Sequence, residues 1–142
     1  MDFKNGAELL SLCNTHRQPI SQIMKARECD LTEVSGKQIE ERMKRVLEIM
    51  KQAASSPLDT PRRSMGGLLG GEAQLVDRHR KEGRSICGSP LSRAMAYAMA
   101  VLEVNSSMGL IVAAPTAGSS GVVPGVLLAL KEEHCLSDEA LL

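Results

Sequence analysis

The sequence predicts a mainly α protein, a helical domain in which a buried glycine- and serine-rich loop joins two apolar helices. Apolar residues repeat every three or four positions over several long stretches, which is the period of a helix with one buried face. No stretch keeps the two-residue alternation of a half-buried strand. A run without charged residues extends from Val104 to Leu130, and proline, glycine, serine and threonine interrupt its middle.

The composition of the 142 residues is that of a globular protein and disfavours several functional classes. The formal net charge is zero and Phe3 and Tyr97 are the only aromatic residues, so a nucleic-acid partner is not expected. The first ten residues lack the basic and apolar regions of a secretory signal. The four cysteines are far apart, without metal-binding spacing. We therefore expect a cytoplasmic protein with reduced thiols.

Residues 1–54 predict three helices. The first begins at Gly6 and ends before Pro19, and one or two further helical turns follow it. The clearest helix follows Ser35, which has capping-box spacing to Gln38. The apolar residues that form one face of this helix are Ile39, Met43, Val46, Leu47, Met50 and Ala54.

Residues 55–71 contain two prolines and four glycines and predict a loop or linker. Residues 72–142 predict a second helical part. It opens with a short charged helix that Gly83 closes. An alanine-rich helix follows, with Ser89 as its N-cap and Pro90 as its first residue, and its small side chains allow close packing.

The last seven residues, "LSDEALL", predict the start of another helix, with Ser137 as its N-cap. Because a helix starts where the sequence stops, we expect an incomplete domain that is truncated at its C-terminal end. The apolar faces of residues 91–102 and 122–130 would then lack their partners. We therefore expect self-association or partial disorder of this chain on its own.

The uncharged run from Val104 to Leu130 does not predict a membrane helix. A membrane-spanning helix needs about 20 consecutive, mostly apolar residues. Here the segment "PTAGSSG" breaks the run, and its backbone would be costly to expose to lipid. The better interpretation is two buried segments, "GLIVAA" and "VVPGVLLAL", that this polar loop joins.

The polar loop has the residue types of an anion site. Gly118 and Gly121 allow backbone conformations that direct consecutive amides at one point, and a helix that starts near Val122 adds free N–H groups and its dipole. The loop's hydroxyl groups belong to Thr116, Ser119 and Ser120. These groups together predict a site for a carboxylate or phosphate. The alternative is a glycine-rich turn that only lets two helices pack, and the absence of a lysine disfavours a P-loop.

Other candidate residues carry weaker signals. Cys87 precedes a helix start, where a thiolate is favoured, but no histidine lies near it in sequence to act as its base. His16, His79 and His134 are far apart along the chain. We interpret Cys87 as a small packed residue and assign no catalytic residue.

The motifs of the loop region resemble those of the α chain of the bacterial iron–sulfur-dependent L-serine dehydratases. The family shows N-x-x-M-G, then A-x-P-T-A-G, two small residues and G-V-V-P-G. The matching residues here are Asn105, Met108, Gly109, Ala113, Pro115 to Gly118, Ser119, Ser120 and Gly121 to Gly125. "GGEA" at Gly70–Ala73 and "GRSICG" ending at Gly88 also resemble family elements, and the N-terminal helices align more loosely.

The resemblance implies a lyase that converts L-serine to pyruvate and ammonia, in amino-acid degradation and gluconeogenesis. It implies a 4Fe–4S cluster in the complete enzyme, with one iron free to act as a Lewis acid on the substrate hydroxyl. Residues 72–142 would be the first part of the catalytic α domain. The loop around Thr116–Gly121 would hold the serine carboxylate, and Ser85 to Gly88 would line the same pocket. The implied partners are L-serine, the C-terminal remainder of the α chain and a β chain, in an oligomer without a membrane partner.

The sequence also departs from the family pattern. The family's cluster cysteines lie in motifs resembling G-G-C-Q-A-E-V-G, C-D-P-x-x-G-L-V and P-C, and none of these occurs here. Arg84 stands where some members have lysine. We therefore assign no metal ligand to this chain and expect it to be inactive alone. The alternative function is a helical anion- or carboxylate-binding module without catalysis.

Overall fold

The computed structural model describes residues 2–142, and in this range every regular element is a helix. The elements are α1 (Gly6–His16), α2 (Ile20–Thr32), α3 (Gly36–Asp59), α4 (Glu72–Lys81), α5 (Ser89–Ser106), α6 (Val122–Glu133) and α7 (Asp138–Leu141). The predicted mainly α fold class is confirmed. None of these helices is long and apolar enough to cross a membrane.

The chain divides into two compact units, the first ending at Lys44 and the second running from Arg45 to Leu142. The division falls inside α3 and not at residues 55–71, so the three-part domain division stays a prediction. In the first unit, the capping box at the start of α3 is confirmed: the Gln38 amide donates to Ser35 Oγ at 3.4 Å, and the Ser35 amide donates to Gln38 Oε1 at 3.2 Å.

Two helices are longer than the sequence predicts. α2 has 13 residues, which exceeds the expected one or two turns. α3 continues through Pro57 to Asp59, beyond the residue at which the loop was expected to begin. Pro57 removes one backbone donor from the last turn, but its ring is almost completely buried. Burial of the ring offsets the lost hydrogen bond.

The loop between α3 and α4 is ordered by its own hydrogen bonds. The Ser64 amide donates to the carbonyl of Leu69 at 2.8 Å, and the Leu69 amide donates to Ser64 Oγ at 3.0 Å. The Met65 amide donates to the carbonyl of Ser106 at 3.2 Å, which joins the loop to the end of α5. The loop is therefore part of the second unit and does not act as a free linker.

Close packing between α5 and α6 organises the second unit. A Cβ atom on Gly121 would lie 2.5 Å from the carbonyl oxygen of Ala98, and one on Gly125 would lie 2.7 Å from that of Ala94. Gly121, the N-cap of α6, and Gly125, four residues later in that helix, thus face two alanines four residues apart on α5. The two backbones can approach this closely only because all four residues are small.

The core of the second unit lies where α3, α5 and α6 meet. Its residues are Ala53, Ala54, Val101, Val104 and Leu128, with Tyr97 and Ile111 packed against them. The Tyr97 hydroxyl donates a hydrogen bond to the Glu132 carboxylate. Burial and this hydrogen bond raise the pKa of Tyr97 well above its usual value, so the phenol stays protonated.

The predicted N-cap of α5 is wrong by one position. Gly88 is the N-cap and Ser89 is the first helical residue, with Pro90 behind it. The Ser89 hydroxyl instead accepts a hydrogen bond from Arg80 at 3.2 Å, which connects the end of α4 to the start of α5. The predicted cap of α7 is confirmed, because the Ser137 side chain accepts from the amide of Ala140.

Gly121→Ala should destabilise the protein far more than Gly118→Ala. The new Cβ of Gly121→Ala meets a backbone carbonyl that cannot move aside, and we expect a loss of about 1–3 kcal/mol in the free energy of unfolding. At Gly118 the nearest atom to a new Cβ is Thr116 Oγ1 at 3.9 Å, so that variant should match the unchanged protein. Urea denaturation followed by circular dichroism measures both. Equal stabilities for the two variants would contradict the packing assigned to α5 and α6.

Candidate functional site

The glycine- and serine-rich loop, Pro115–Gly121, leads directly into α6. The prediction that this loop is buried holds only at its end: Ser120 is buried, whereas residues 115–118 are exposed. The tip is exposed because no other described segment covers it. The loop therefore presents its first four residues to solvent and anchors the last ones on α5.

Two hydroxyl groups of the loop are committed to internal hydrogen bonds. The Ser119 amide donates to Thr116 Oγ1 at 3.3 Å, and the Thr116 amide donates to Ser119 Oγ at 3.4 Å. The two hydroxyl oxygens are 3.1 Å apart and share a further hydrogen bond. This reciprocal arrangement resembles a capping box and gives the loop one preferred conformation.

Ser120 is an anchor of the loop. Its hydroxyl donates to the carbonyl of Ala117 at 2.7 Å, and the side-chain amide of Asn105 donates to the same carbonyl at 3.1 Å. Asn105 lies at the end of α5, so this shared acceptor joins the loop to that helix. A buried serine with its hydroxyl bonded inward holds the backbone and is not turned toward a ligand.

The loop retains backbone donors that no described residue accepts from. They are the amides of Ala117, Gly118, Gly121 and Val123. Gly121 and Val123 lie at the N-terminus of α6, where the helix dipole favours a negative charge. Carboxylates and phosphates are the groups that such donors bind.

The role that the sequence suggests for the two glycines needs correction. Gly121 is in the right-handed helical region with φ −82° and ψ −21°, and Gly118 is not among the residues with positive φ. Neither glycine therefore supplies a left-handed conformation to direct the amides. Gly121 is required by its contact with Ala98, whereas Gly118 lies in open space.

Ser85 lies in a different part of the second unit. It lines a cleft of about 700 Å³ between α4, α5 and the segment that joins them. Its hydroxyl forms a hydrogen bond with that of the buried Ser92. The cleft includes no residue of the loop Pro115–Gly121 and not Gly88, which is the N-cap of α5. The structure described here does not bring the two groups of predicted site residues together, and a shared pocket stays a prediction.

The same cleft brings a histidine near the cysteine that had none in sequence. His79 and Cys87 both line it, and Cys87 is exposed. No hydrogen bond between them occurs in the described structure, so the cleft does not contain the paired nucleophile and base of a thiol enzyme. Cys87 is also not the packed residue that the sequence suggested, because its side chain faces solvent.

The end of α4 carries a buried carboxylate. Asp77 pairs with Arg80 at 2.7 Å and with Lys81 at 2.7 Å, and its own side chain is only 8% exposed. Burial alone would raise the pKa of Asp77, but the hydrogen bonds from Lys81 and Arg80 outweigh it and hold the pKa below its usual range. Since Arg80 also donates to Ser89, this ion pair stabilises the wall of the cleft.

Glu103 is a buried carboxylate that the sequence analysis missed. It lies on α5 and is 2% exposed. Its Oε1 accepts from the amides of Gly71 at 3.0 Å and Ala73 at 2.9 Å, so Glu103 caps the start of α4 from a neighbouring helix. Its Oε2 has no hydrogen-bond partner among residues 2–142. The signal in sequence was a lone charge on the apolar face of an alanine-rich helix.

The described residues do not fit an iron–sulfur cluster. No three histidine, cysteine, aspartate or glutamate side chains among residues 2–142 come close enough to hold a metal ion. Cys13 and Cys29 are partly buried, Cys87 and Cys135 are exposed, and all four are free. No chemical step through a cluster can therefore be derived from these residues.

The sequence of the chain matches one enzyme family. The profile described as "Serine dehydratase alpha chain" matches residues 15–142, and the chain belongs to this family. The predicted resemblance is thereby confirmed.

Individual relatives show how much of such a protein this chain represents. The "Probable L-serine dehydratase, alpha chain" of Bacillus subtilis (strain 168) is 38% identical over 131 residues, covering 92% of this chain and 43% of the relative. The "L-serine dehydratase, alpha chain" of Peptoniphilus asaccharolyticus is 33% identical over 132 residues, covering 93% of this chain and 45% of the relative. The chain thus spans less than half the length of these curated relatives. No solved structure matches it significantly.

Glu103→Ala should destabilise the protein by about 1–3 kcal/mol, because it leaves the amides of Gly71 and Ala73 without an acceptor. Glu103→Gln keeps an acceptor oxygen in the same place and should cost less. Chemical denaturation of both variants gives the two free energies of unfolding. A glutamine variant as unstable as the alanine variant would show that the negative charge, and not the accepted hydrogen bonds, is what matters.

Asp77→Asn should flatten the dependence of stability on pH. The pKa of Asp77 is lower in the folded chain than in the unfolded one, so its contribution is fully present above the unfolded value, about 3.9, and is lost as the pH falls through the folded value. We expect the variant to be less stable at pH 7, and the difference from the unchanged protein to shrink as the pH falls below about 3.9. Glu82→Gln, which removes an exposed ion pair with Arg84, is the control and should have little effect at neutral or acidic pH. Urea denaturation across this pH range gives the comparison.

Proposed function

We propose that this chain provides part of the substrate site of an L-serine dehydratase, with the loop Pro115–Gly121 holding the substrate carboxylate. The observation that carries the proposal is the set of free amides at Gly118, Gly121 and Val123, at the start of a 12-residue helix. Internal hydrogen bonds keep the loop hydroxyls of Thr116 and Ser119 in place, so the amides need little rearrangement to accept an anion.

The proposed reaction is an elimination. A base removes the α-proton of L-serine, the bond from the β-carbon to the hydroxyl oxygen breaks, and water is lost. The resulting aminoacrylate tautomerises to an imine, and hydrolysis gives pyruvate and ammonia. Amide donors around the carboxylate favour loss of the α-proton, because they stabilise negative charge that spreads from the α-carbon.

The remaining parts of the enzyme are proposed to lie outside the described residues. The 4Fe–4S cluster of the complete enzyme would need ligands from elsewhere, and so would the catalytic base. We expect a β chain, an oligomeric enzyme and a cytoplasmic location, as the sequence analysis predicts. Alone, this chain should be inactive. A second candidate function, a carboxylate-binding module without catalysis, relies on the same loop.

Pyruvate release from L-serine under anaerobic conditions, after iron–sulfur reconstitution, tests the proposal. This chain is assayed alone and after completion with the regions of the Bacillus subtilis α chain that it does not match, together with a β chain. Activity only in the completed protein supports the proposal. Binding of L-serine by this chain without activity in the completed protein would favour the binding module.

Gly118→Val tests the loop itself. A new Cβ at this position would meet only Thr116 Oγ1, at 3.9 Å, so the fold should be kept. The added side chain lies on the loop and should obstruct a carboxylate that binds there. The variant is assayed in the completed protein. We expect its KM for L-serine to rise at least about tenfold, with a smaller change in kcat, because the loop contacts the carboxylate both in the ground state and in the transition state. Gly66→Val, at a glycine where a new Cβ would have no neighbouring atom within 4 Å, is the matched control.

The same kinetic constants for both valine variants would contradict a role of the loop in binding. Gly121→Val is not a suitable test, because its side chain would collide with Ala98 and disturb the packing of α6. A substitution at Gly118 thus tests substrate binding, whereas one at Gly121 tests the stability of the fold.

A further inference from the structure

The second unit has an apolar surface that its own helices leave exposed, here named the open face. Its residues and their exposed fractions are Leu75 53%, Leu91 55%, Met95 45%, Leu102 44%, Val122 60% and Val126 49%. The members on α5 are spaced by four and seven residues, and those on α6 by four, so each set lies on one side of its helix. An apolar surface of this kind, exposed on adjacent packed helices, indicates an interaction site.

On α5, the residues of the open face lie on a side of the helix that differs from the sides in contact with other helices. Glu103 marks the side that reaches α4, and Ala94 and Ala98 mark the side that reaches α6. By the helical period, Leu91 and Met95 lie between these two sides. Val101, on yet another side, packs against Ala53 and Ala54 of α3. The helices of the second unit therefore cover α5 on three sides and leave the fourth open.

The cleft beside α4 continues this surface. Leu75 and Met95 belong to both, and the cleft volume of about 700 Å³ accommodates several large side chains. Ile86, fully exposed, stands at its edge. Arg78 and Ser85 supply a polar border. An apolar centre with polar groups around it is the arrangement of protein interfaces.

We propose that the open face is the docking surface for the polypeptide that makes up the other half of a serine dehydratase α chain, whether continuous with this chain or separate. The family match extends over residues 15–142 and so includes α3 to α6, and it accounts for only 43% and 45% of two relatives. The helices of the second unit leave this face exposed, and the unmatched part of the relatives is long enough to supply its cover. The inference rests on the proposed function, because it takes this polypeptide to be that of a serine dehydratase.

Co-expression tests the docking directly. This chain carries an affinity tag, and the part of the Bacillus subtilis α chain outside the matched region is produced with it as a separate polypeptide. We expect an equimolar complex on co-purification. The relative's own matching segment, produced in the same way with the same polypeptide, is the positive control.

Single lysine substitutions locate the surface. Leu91→Lys, Met95→Lys and Val126→Lys should each weaken the complex at least about tenfold, because a charge is placed in an apolar contact. Leu10→Lys is the matched control, since Leu10 is 62% exposed and lies on α1, in the first unit. Circular dichroism and thermal melts of the free variants should match the unchanged chain, because all four substituted side chains are already exposed.

Three results would overturn the proposal. The first is that this chain forms no complex while the positive control does. The second is that a complex forms and none of the three lysine substitutions on the open face weakens it. The third is a dimer of this chain, seen by light scattering, that the face variants dissociate and that the added polypeptide does not displace.

Pyruvate release from L-serine by the complex distinguishes the proposed function from the proposed docking surface. A complex without activity leaves the docking surface in place and contradicts the proposed function. Activity that the face variants do not reduce supports the proposed function and contradicts the docking surface.

Discussion

The contact between α5 and α6 is the constraint on which the second unit depends. Gly121 and Gly125 place the backbone of α6 against Ala94 and Ala98, at distances that exclude even one additional methyl group. This approach brings Leu128 into the core beside Val101. It also fixes where α6 begins and therefore where its unpaired amides lie. The packing of two helices and the position of a potential anion site are thus consequences of the same small residues.

A glycine- and serine-rich loop at a helix N-terminus combines two roles that are hard to separate. Its hydroxyl groups serve the loop, since those of Thr116, Ser119 and Ser120 are all bonded to loop atoms. The backbone amides are what remains for a ligand. Gly118 has no packing role that the structure shows, which is why it distinguishes ligand binding from stability.

Buried carboxylates hold the elements around the cleft in place. Asp77 is neutralised by Arg80 and Lys81, whereas Glu103 accepts hydrogen bonds from two amides at the positive end of α4. Glu103 connects α5 to the start of α4, whereas Asp77 acts within α4 and holds Arg80, which donates to Ser89 at the start of α5. The walls of the cleft are therefore held by charge, while its lining is largely apolar.

The sequence alone determined the helical class, most of the helices and the family. A helical period depends only on which residues lie three and four apart, and a cap such as that of Ser35 and Gln38 is made within one turn. The family was recognisable because the motif around residues 115–125 is contiguous. These are local signals, and the structure and the comparisons confirm them.

Only the tertiary structure decided which residues meet. It assigned Gly121 to packing on Ala98, gave Glu103 its partners on α4, and placed Ser85 in a cleft apart from the loop. It also carried α3 through Pro57, because burial of the ring offsets the lost hydrogen bond. Contacts between residues far apart in the chain depend on how the helices pack, and no spacing along the sequence encodes that arrangement directly.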